Sequence, residues 1–271
     1  MSDPLFSVAD QVVFITGGTR GIGRAITEGF AERKAQVAVC SRDIETVQQV
    51  ADELSNQGHR VYGLACDVSS EADIQRAVDA VVERFGRIDT LVNCAGVTRR
   101  KRAESVTSED YDFIMNINLR GALLVSQRVA EVMRTQQGGS IINIESLNTH
   151  MPLKGVLPYA MSKFGMQGMT RGLALEWGPH GIRVNSLAPG FILTDMTSKL
   201  WSNPVMQQWN ETNAPLGRLG VPQDMVGTAV FLASAASAFM TGQTLYVDGG
   251  FSSGWNWPIP LDDPAKVDSG S

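Results

Sequence analysis

Short runs of β-branched and other apolar residues recur along the chain: Val12-Val13-Phe14-Ile15, Val37-Ala38-Val39, Val61-Tyr62-Gly63-Leu64-Ala65, Thr90-Leu91-Val92, Ile141-Ile142-Asn143-Ile144, Val184-Asn185-Ser186-Leu187 and Thr244-Leu245-Tyr246-Val247. Near-continuous apolar character without strict alternation is the pattern of strands covered on both faces. Between the runs lie longer stretches of helical period, which predict helices over 21–33, 43–57, 71–85, 108–136, 157–178 and 223–235. Alternation of this kind implies parallel crossover units, and therefore an α/β fold: a Rossmann-like, doubly wound parallel sheet of about seven strands with helices on both faces. No Pro- or Ser-rich linker breaks the alternation and no fixed period repeats. Residues 1–271 are thus expected to form one domain, with a core over 10–250, a lid-like excursion over 191–222 and an extension over 251–271.

Composition narrows the function classes. Hydrophobic residues make up 43% of the 271, enough for a sizeable core, and 23 basic against 28 acidic residues leave a net charge of −5. That balance argues against a nucleic-acid-binding protein, which needs a surplus of Lys and Arg on one face. No stretch approaches the uninterrupted apolar length of a membrane span. Cys40, Cys66 and Cys94 are far apart without Cys-x-x-Cys spacing, and read as buried reduced thiols. Met1 to Gln11 carries Asp3 and Asp10 and lacks a basic flank before an apolar stretch, so a cytoplasmic protein is expected. The three histidines are isolated, and no metal is expected.

The first strand runs directly into Thr16-Gly17-Gly18-Thr19-Arg20-Gly21-Ile22-Gly23 and then a helical pattern. Glycines there permit a tight turn and let backbone N–H groups and the helix N-terminus approach a pyrophosphate. The second strand ends in Cys40-Ser41-Arg42, where an NAD-preferring site carries a carboxylate for the ribose 2′-hydroxyl. Ser41 as donor and Arg42 as a guanidinium fork suit a 2′-phosphate instead, with Arg20 able to join them, so NADP(H) is the expected cofactor.

The turn spacing Gly-x-x-x-Gly-x-Gly, Asn93-Cys94-Ala95-Gly96 after the fourth strand, and Tyr159-Ala160-Met161-Ser162-Lys163 together resemble the short-chain dehydrogenase/reductase family over residues 10–250. The three-residue gap between Tyr159 and Lys163 separates the chain from the enoyl reductase branch. Four apart on a helix, the two side chains share a face, where the ammonium is expected to lower the phenol pKa. The resemblance implies a catalytic set of Asn118, Ser146, Tyr159 and Lys163. Ser146 would orient the substrate oxygen, Lys163 would also hold the nicotinamide ribose, and Asn118 would keep a relay water. It further implies cofactor contacts from Gly17, Thr19, Arg20, Gly21, Ile22, Gly23, Ser41, Arg42, Asp67, Val68, Asn93, Ala95, Gly96, Pro189, Gly190, Ile192 and Thr194. Asp67 would meet adenine, or else cap a helix. Glu145 departs from the small polar residue that relatives often carry before the serine.

The expected reaction is hydride transfer between the nicotinamide and a ketone or secondary alcohol, as in a carbonyl reductase or a sugar or polyol dehydrogenase. The substrate pocket is expected to be walled by Leu147, Asn148, Leu153, Phe191, Met196 and Trp201, with His150 beside Ser146 and Tyr159. Arg99-Arg100-Lys101-Arg102 either attracts an acidic substrate at the cleft mouth or is a solvated loop. A 3-oxoacyl-carrier-protein reductase is the alternative within the family, disfavoured by the uncharged Thr135-Gln136-Gln137 and by Pro179-His180 at the ends of the two long helices. From a different class, a catalytically idle dinucleotide-binding regulator is the remote alternative. By resemblance the protein is expected to be a homotetramer, and the Trp- and Pro-bearing extension is expected to be ordered as far as Pro260.

Overall fold

The computed structural model describes residues 3–255. Its frame is β1 (Val12–Thr16), α1 (Gly21–Glu32), β2 (Gln36–Ser41), α2 (Ile44–Asn56), β3 (Arg60–Ala65), α3 (Glu71–Phe85) and β4 (Thr90–Asn93). It continues with α4 (Ser108–Met115), α5 (Ala122–Gln136), β5 (Gly139–Ile144), α6 (Leu157–Trp177), β6 (Ile182–Pro189), α7 (Asp195–Trp201), α8 (Pro204–Asn213), α9 (Val226–Ala233) and β7 (Thr244–Val247). The seven strands lie in one sheet in the order β3-β2-β1-β4-β5-β6-β7, and every pairing is parallel. All seven apolar runs are strands.

Strand periodicity sorts the core into two layers. On β1, Val12 and Phe14 pack with residues of α3, α5 and α6, including Val78, Met133 and Leu173. Val13 and Ile15 point the other way, into a layer with Ile26 and Phe30 of α1 and Val230 of α9. Helix starts follow local chemistry: Asp43 accepts from the N–H groups of Glu45 and Thr46 to cap α2, and Ser70 caps α3.

Two stretches differ from the sequence expectation. The segment 108–136 is broken by a π-helical stretch, Asn116–Gly121, between α4 and α5. A hydrophobic period cannot register one extra residue per turn; what fixes it is tertiary, because Gly121 lies against the Val68 carbonyl, where an added Cβ would stand 2.6 Å from the oxygen. The segment 191–222 holds the helices α7 and α8 rather than an open loop, and the predicted helix 223–235 is a 3₁₀ turn, Pro222–Met225, followed by α9. The base of 191–222 is pinned where Leu193 N–H donates to Gly220 and Gly220 N–H to Phe191. Cys40, Cys66 and Cys94 are free thiols. No helix among the described residues is long and apolar enough to cross a membrane. The expectation for Trp257 to Pro260 lies outside the described residues.

Candidate active site

Because every strand points the same way, the loops after β1 to β6 converge on one edge of the sheet and enclose a cleft of about 520 Å³. Ligands of open α/β sheets bind at this carboxyl edge. The glycine turn lies on its floor. Gly17 sits at φ +68°, and a Cβ on Gly23 would stand 2.2 Å from the Gly17 carbonyl oxygen, so only glycines allow this closure of the turn onto α1. Thr27 ties helix to turn, its hydroxyl shared between the carbonyls of Gly23 at 2.9 Å and Gly18 at 3.1 Å. Arg20, at the helix start, gives α1 no side-chain cap. The first N–H groups of a twelve-residue helix therefore remain for an anion. Gly17, Thr19, Arg20, Gly21, Ile22 and Gly23 all border the cleft.

At one end stand Ser41, Arg42, Asp67 and Val68. The carboxylate nearest in sequence to Arg42, Asp43, is occupied by the α2 cap and the Thr46 hydroxyl at 2.6 Å. Arg42 is exposed and has no ion pair among the described residues. Asp67 does not cap α3; it accepts from the N–H and hydroxyl of Ser69 in a local turn. Ala95 and Gly96 border the cleft, held by Thr16, whose Oγ1 accepts from the N–H groups of Cys94 and Ala95. The Asn93 side chain does not border it: buried, it donates to Ser126 and to Asn143 and so joins β4 to α5 and β5. Pro189, Gly190, Ile192 and Thr194, after β6, line the opposite wall.

Ser146, Tyr159 and Lys163 meet on the cleft floor. The Ser146 Oγ accepts from the N–H and Nδ2 of Asn148, which leaves its proton for the Tyr159 phenol oxygen. Lys163 is buried, donates from Nζ to the Ile144 carbonyl at 2.6 Å, and lies 5.6 Å from the Tyr159 ring centre. Burial pulls Lys163 down to about 8, against Cys94 and Glu145, which raise it. Burial likewise pushes the Tyr159 phenol above its usual range, opposed by the Ser146 hydrogen bond. Desolvation is thus the largest influence on the phenol and acts against the lowering expected from Lys163. Asn118 is fully buried in the π-helical stretch; its Nδ2 donates to the Val97 carbonyl and Ser162 while its Oδ1 accepts from Val97 N–H, so its side chain clamps the loop after β4.

At the other end, Leu147, Asn148, Leu153, Phe191 and Met196 border the cleft. Trp201 does not; its buried ring packs edge-on against Phe191 at 5.3 Å, and with Trp209 and Phe251 it backs the wall. His150 is exposed and rests on Tyr246, away from the cleft. Short helices turn Trp201 into the packing behind the wall and His150 to the surface. Val156, Thr98, Glu145 and Asp195, which sequence reasoning did not place in the pocket, also line it. For Thr98, Glu145 and Asp195 the available signal was their place in the loops that follow strands, and for Val156 its place at the start of α6.

The basic run resolves by alternation. Asp110, buried, takes Arg99 at 3.0 Å and Lys101 at 2.5 Å, and these cations with the Thr107 N–H hold its carboxyl far below the usual range. Arg99 also lies over the Phe113 ring at 4.1 Å. In an extended loop the intervening residue points the opposite way. Arg100 lines the cleft and has no ion pair among the described residues, while Arg102 pairs with Glu104. The Lys101 N–H donates to the Gly155 carbonyl and fixes this loop against the segment leading to Tyr159.

Residues 17–252 match a family model described as enoyl-(acyl carrier protein) reductase. The D-threitol dehydrogenase of Mycolicibacterium smegmatis is 38% identical over 247 residues, covering 91% of this chain and 95% of its own. The gluconate 5-dehydrogenase of Gluconobacter oxydans is 35% identical over 253 residues, covering 93% and 99%. Among solved structures, a gluconate 5-dehydrogenase from Burkholderia cenocepacia in complex with NADP and tartrate superposes with a TM-score of 0.90 at 35% identity, covering 93% of this chain and 98% of that one.

Proposed function

The chain belongs to the short-chain dehydrogenase/reductase family of nicotinamide-dinucleotide-dependent oxidoreductases, and from that premise we propose that it is an NADP(H)-dependent sugar or polyol dehydrogenase whose substrate is a hydroxylated carboxylic acid of the sugar-acid class. The observation that carries the substrate is Arg100, an unpaired guanidinium on the cleft wall whose basic neighbours are turned away by Asp110. A carboxylate meets that fork with two charge-assisted hydrogen bonds. The named relatives that act on gluconate, and the solved one holding NADP and tartrate, support the reading.

The glycine turn and the uncapped start of α1 fit a pyrophosphate, and Arg20 and Arg42 would hold a 2′-phosphate. The 192–194 backbone and the Thr194 hydroxyl would hold the carboxamide, and Lys163 the nicotinamide ribose. When bound, the cofactor supplies or accepts the hydride at C4. The chain does the rest. Ser146 orients the substrate oxygen and stabilises charge developing there. Tyr159 gives that oxygen its proton in reduction and takes it in oxidation, and the Lys163 ammonium favours the phenolate.

The family model's description names an enoyl reductase, but the Tyr159–Lys163 spacing favours chemistry at a carbonyl. A carrier-protein-dependent 3-oxoacyl reductase gains no support from the end of α5, where Gln136 bonds both ways to the Ile88 backbone. The reading includes one catalytic domain, a homotetramer, and a cytoplasmic site of action, to which three free cysteines are suited.

The test is steady-state turnover with NADPH or NADH, and with NADP⁺ or NAD⁺, across neutral polyols, simple ketones, aldonates and keto-aldonates. The phosphorylated cofactor and the acids should be preferred. Arg100→Ala should raise KM for the acids about 10- to 100-fold, the loss of a charge-assisted contact, and leave KM for neutral polyols unchanged. Turnover confined to neutral substrates, or equal effects on both classes, would overturn the substrate assignment.

A further inference from the structure

The residue before Ser146 is a carboxylate that the mechanism above leaves unused. Glu145 follows β5, is 2% exposed, and borders the cleft. Its surroundings are neutral hydroxyls. Thr244 on β7 donates to Oε2 at 3.3 Å, Thr170 on α6 reaches Oε1 at 3.5 Å, and Ser186 on β6 supplies a third contact. These bonds are long and contested, since Thr170 Oγ1 also stands 2.9 Å from the Met166 carbonyl and 2.7 Å from Ser186 Oγ. One hydroxyl has one proton to give. A buried carboxylate held only by such contacts, with no ion pair among the described residues, is costly unless a charge elsewhere compensates.

The compensating charge is close by along the strand. Lys163, 4% exposed, donates to the carbonyl of Ile144, the residue directly preceding Glu145, and it too lacks an ion pair among the described residues. A neutral carbonyl accepts from an ammonium or, more weakly, from an amine, and it brings no charge of its own to balance Lys163. Burial favours the amine, and the fields of Cys94 and Glu145 favour the ammonium. Burial raises Glu145 in turn, and Lys163 draws it down.

We propose that Glu145 is the counter-charge of Lys163, a positioning residue that keeps the buried lysine an ammonium without itself touching substrate or cofactor. Cys94, beyond β4, would also raise Lys163 as a thiolate, but burial pushes its thiol up to about 11, so it is neutral where Lys163 titrates. Tyr159 on α6 is a phenol whose pKa is also raised. The π-helical stretch presents Asn118, β6 presents Ser186, and Tyr246 on β7 turns its hydroxyl to Thr149.

The inference rests on the catalytic reading of Lys163 given above, so its test has a readout that needs no turnover. Competitive labelling with acetic anhydride between about pH 6 and 11, read by mass spectrometry, gives the titration midpoint of Lys163 in the folded protein without added cofactor. The wild-type midpoint is expected at about 8. Glu145→Gln should lower it by about one unit, as loss of an opposite charge nearby does, and Glu145→Asp should restore most of the shift. The high-pH limb of kcat/KM should move down with it. Glu145→Ser carries the same expectation should the Gln variant fail to fold. Folded Gln or Ser variants with an unmoved midpoint overturn the proposal, whatever their activity. A lowered midpoint in an enzyme whose turnover is indifferent upholds the counter-charge and overturns the catalytic role of Lys163.

Discussion

At the scale of single residues, sequence distance is a poor guide to electrostatic environment. Tyr159 and Lys163 are one helical turn apart, and their spacing alone implies that the ammonium tunes the phenol. In the fold both groups are desolvated, and burial moves each towards its neutral form. Lys163 loses its ammonium as pH rises through about 8, so turnover that depends on that charge should decline above this point, as a pH–rate profile reads directly. Tyr159→Phe keeps the ring and removes the proton. It should cut kcat about 10²- to 10⁴-fold while NADPH affinity, followed by cofactor fluorescence, stays within about threefold of wild type. A variant retaining a tenth of its turnover would remove Tyr159 from the chemistry. Ser146, Tyr159 and Lys163 were legible because reactive residue types stand at motif spacing. The buried bonds of Asn93 and Asn118 were not legible, because an amide reads the same in sequence whether it faces a ligand or closes a buried network, as both do here.

At the scale of elements, the seven strands were legible because a strand buried on both faces writes its apolar run into the sequence without help from neighbours. The π-helical stretch was not. Its cause is contact between Gly121 and the carbonyl of Val68, residues 53 positions apart in the chain and joined only by folding. Gly121→Ala would set a Cβ 2.6 Å from that oxygen. It should destabilise the protein by about 1–3 kcal/mol in urea titration, the usual cost of overpacking. Because Val68 borders the cleft, KM for the dinucleotide should rise as well. Stability equal to wild type would show that the π-helical stretch does not need a glycine. The segment 191–222 makes the same point from the other side. Its helices are short and mixed in polarity, and the Phe191, Trp201, Trp209 and Phe251 cluster that organises them draws on residues up to 60 apart.

At the scale of the whole molecule, one face of α6 is turned outward with Leu157, Met161, Phe164 and Leu175 exposed, and an added Cβ at Gly168 or Gly172 on that helix would meet nothing within 4 Å. Large apolar side chains left on a long helix beside residues that permit close approach suit helix-to-helix docking between copies. If the proposed tetramer forms, Phe164→Glu should lower the assembled mass in light scattering towards a dimer or monomer at equal protein concentration. A monomeric wild-type protein would remove the claim.

By itself the sequence determined the layers, the strand count, the position of the glycine turn and the choice of Ser146, Tyr159 and Lys163 as side chains that meet in one cleft. Each of these depends on local periodicity or on residue type at short spacing, and both are properties of the chain before it folds. The tertiary structure alone decided which polar residues face the cleft and which lock the frame. It turned Arg99 and Lys101 onto Asp110 and left Arg100 on the cleft wall, and it placed Glu145 within the field of Lys163. The physical reason is common to these cases. Charge and burial act through space, and the separations that govern them are set only when distant strand ends are brought to one edge of the sheet.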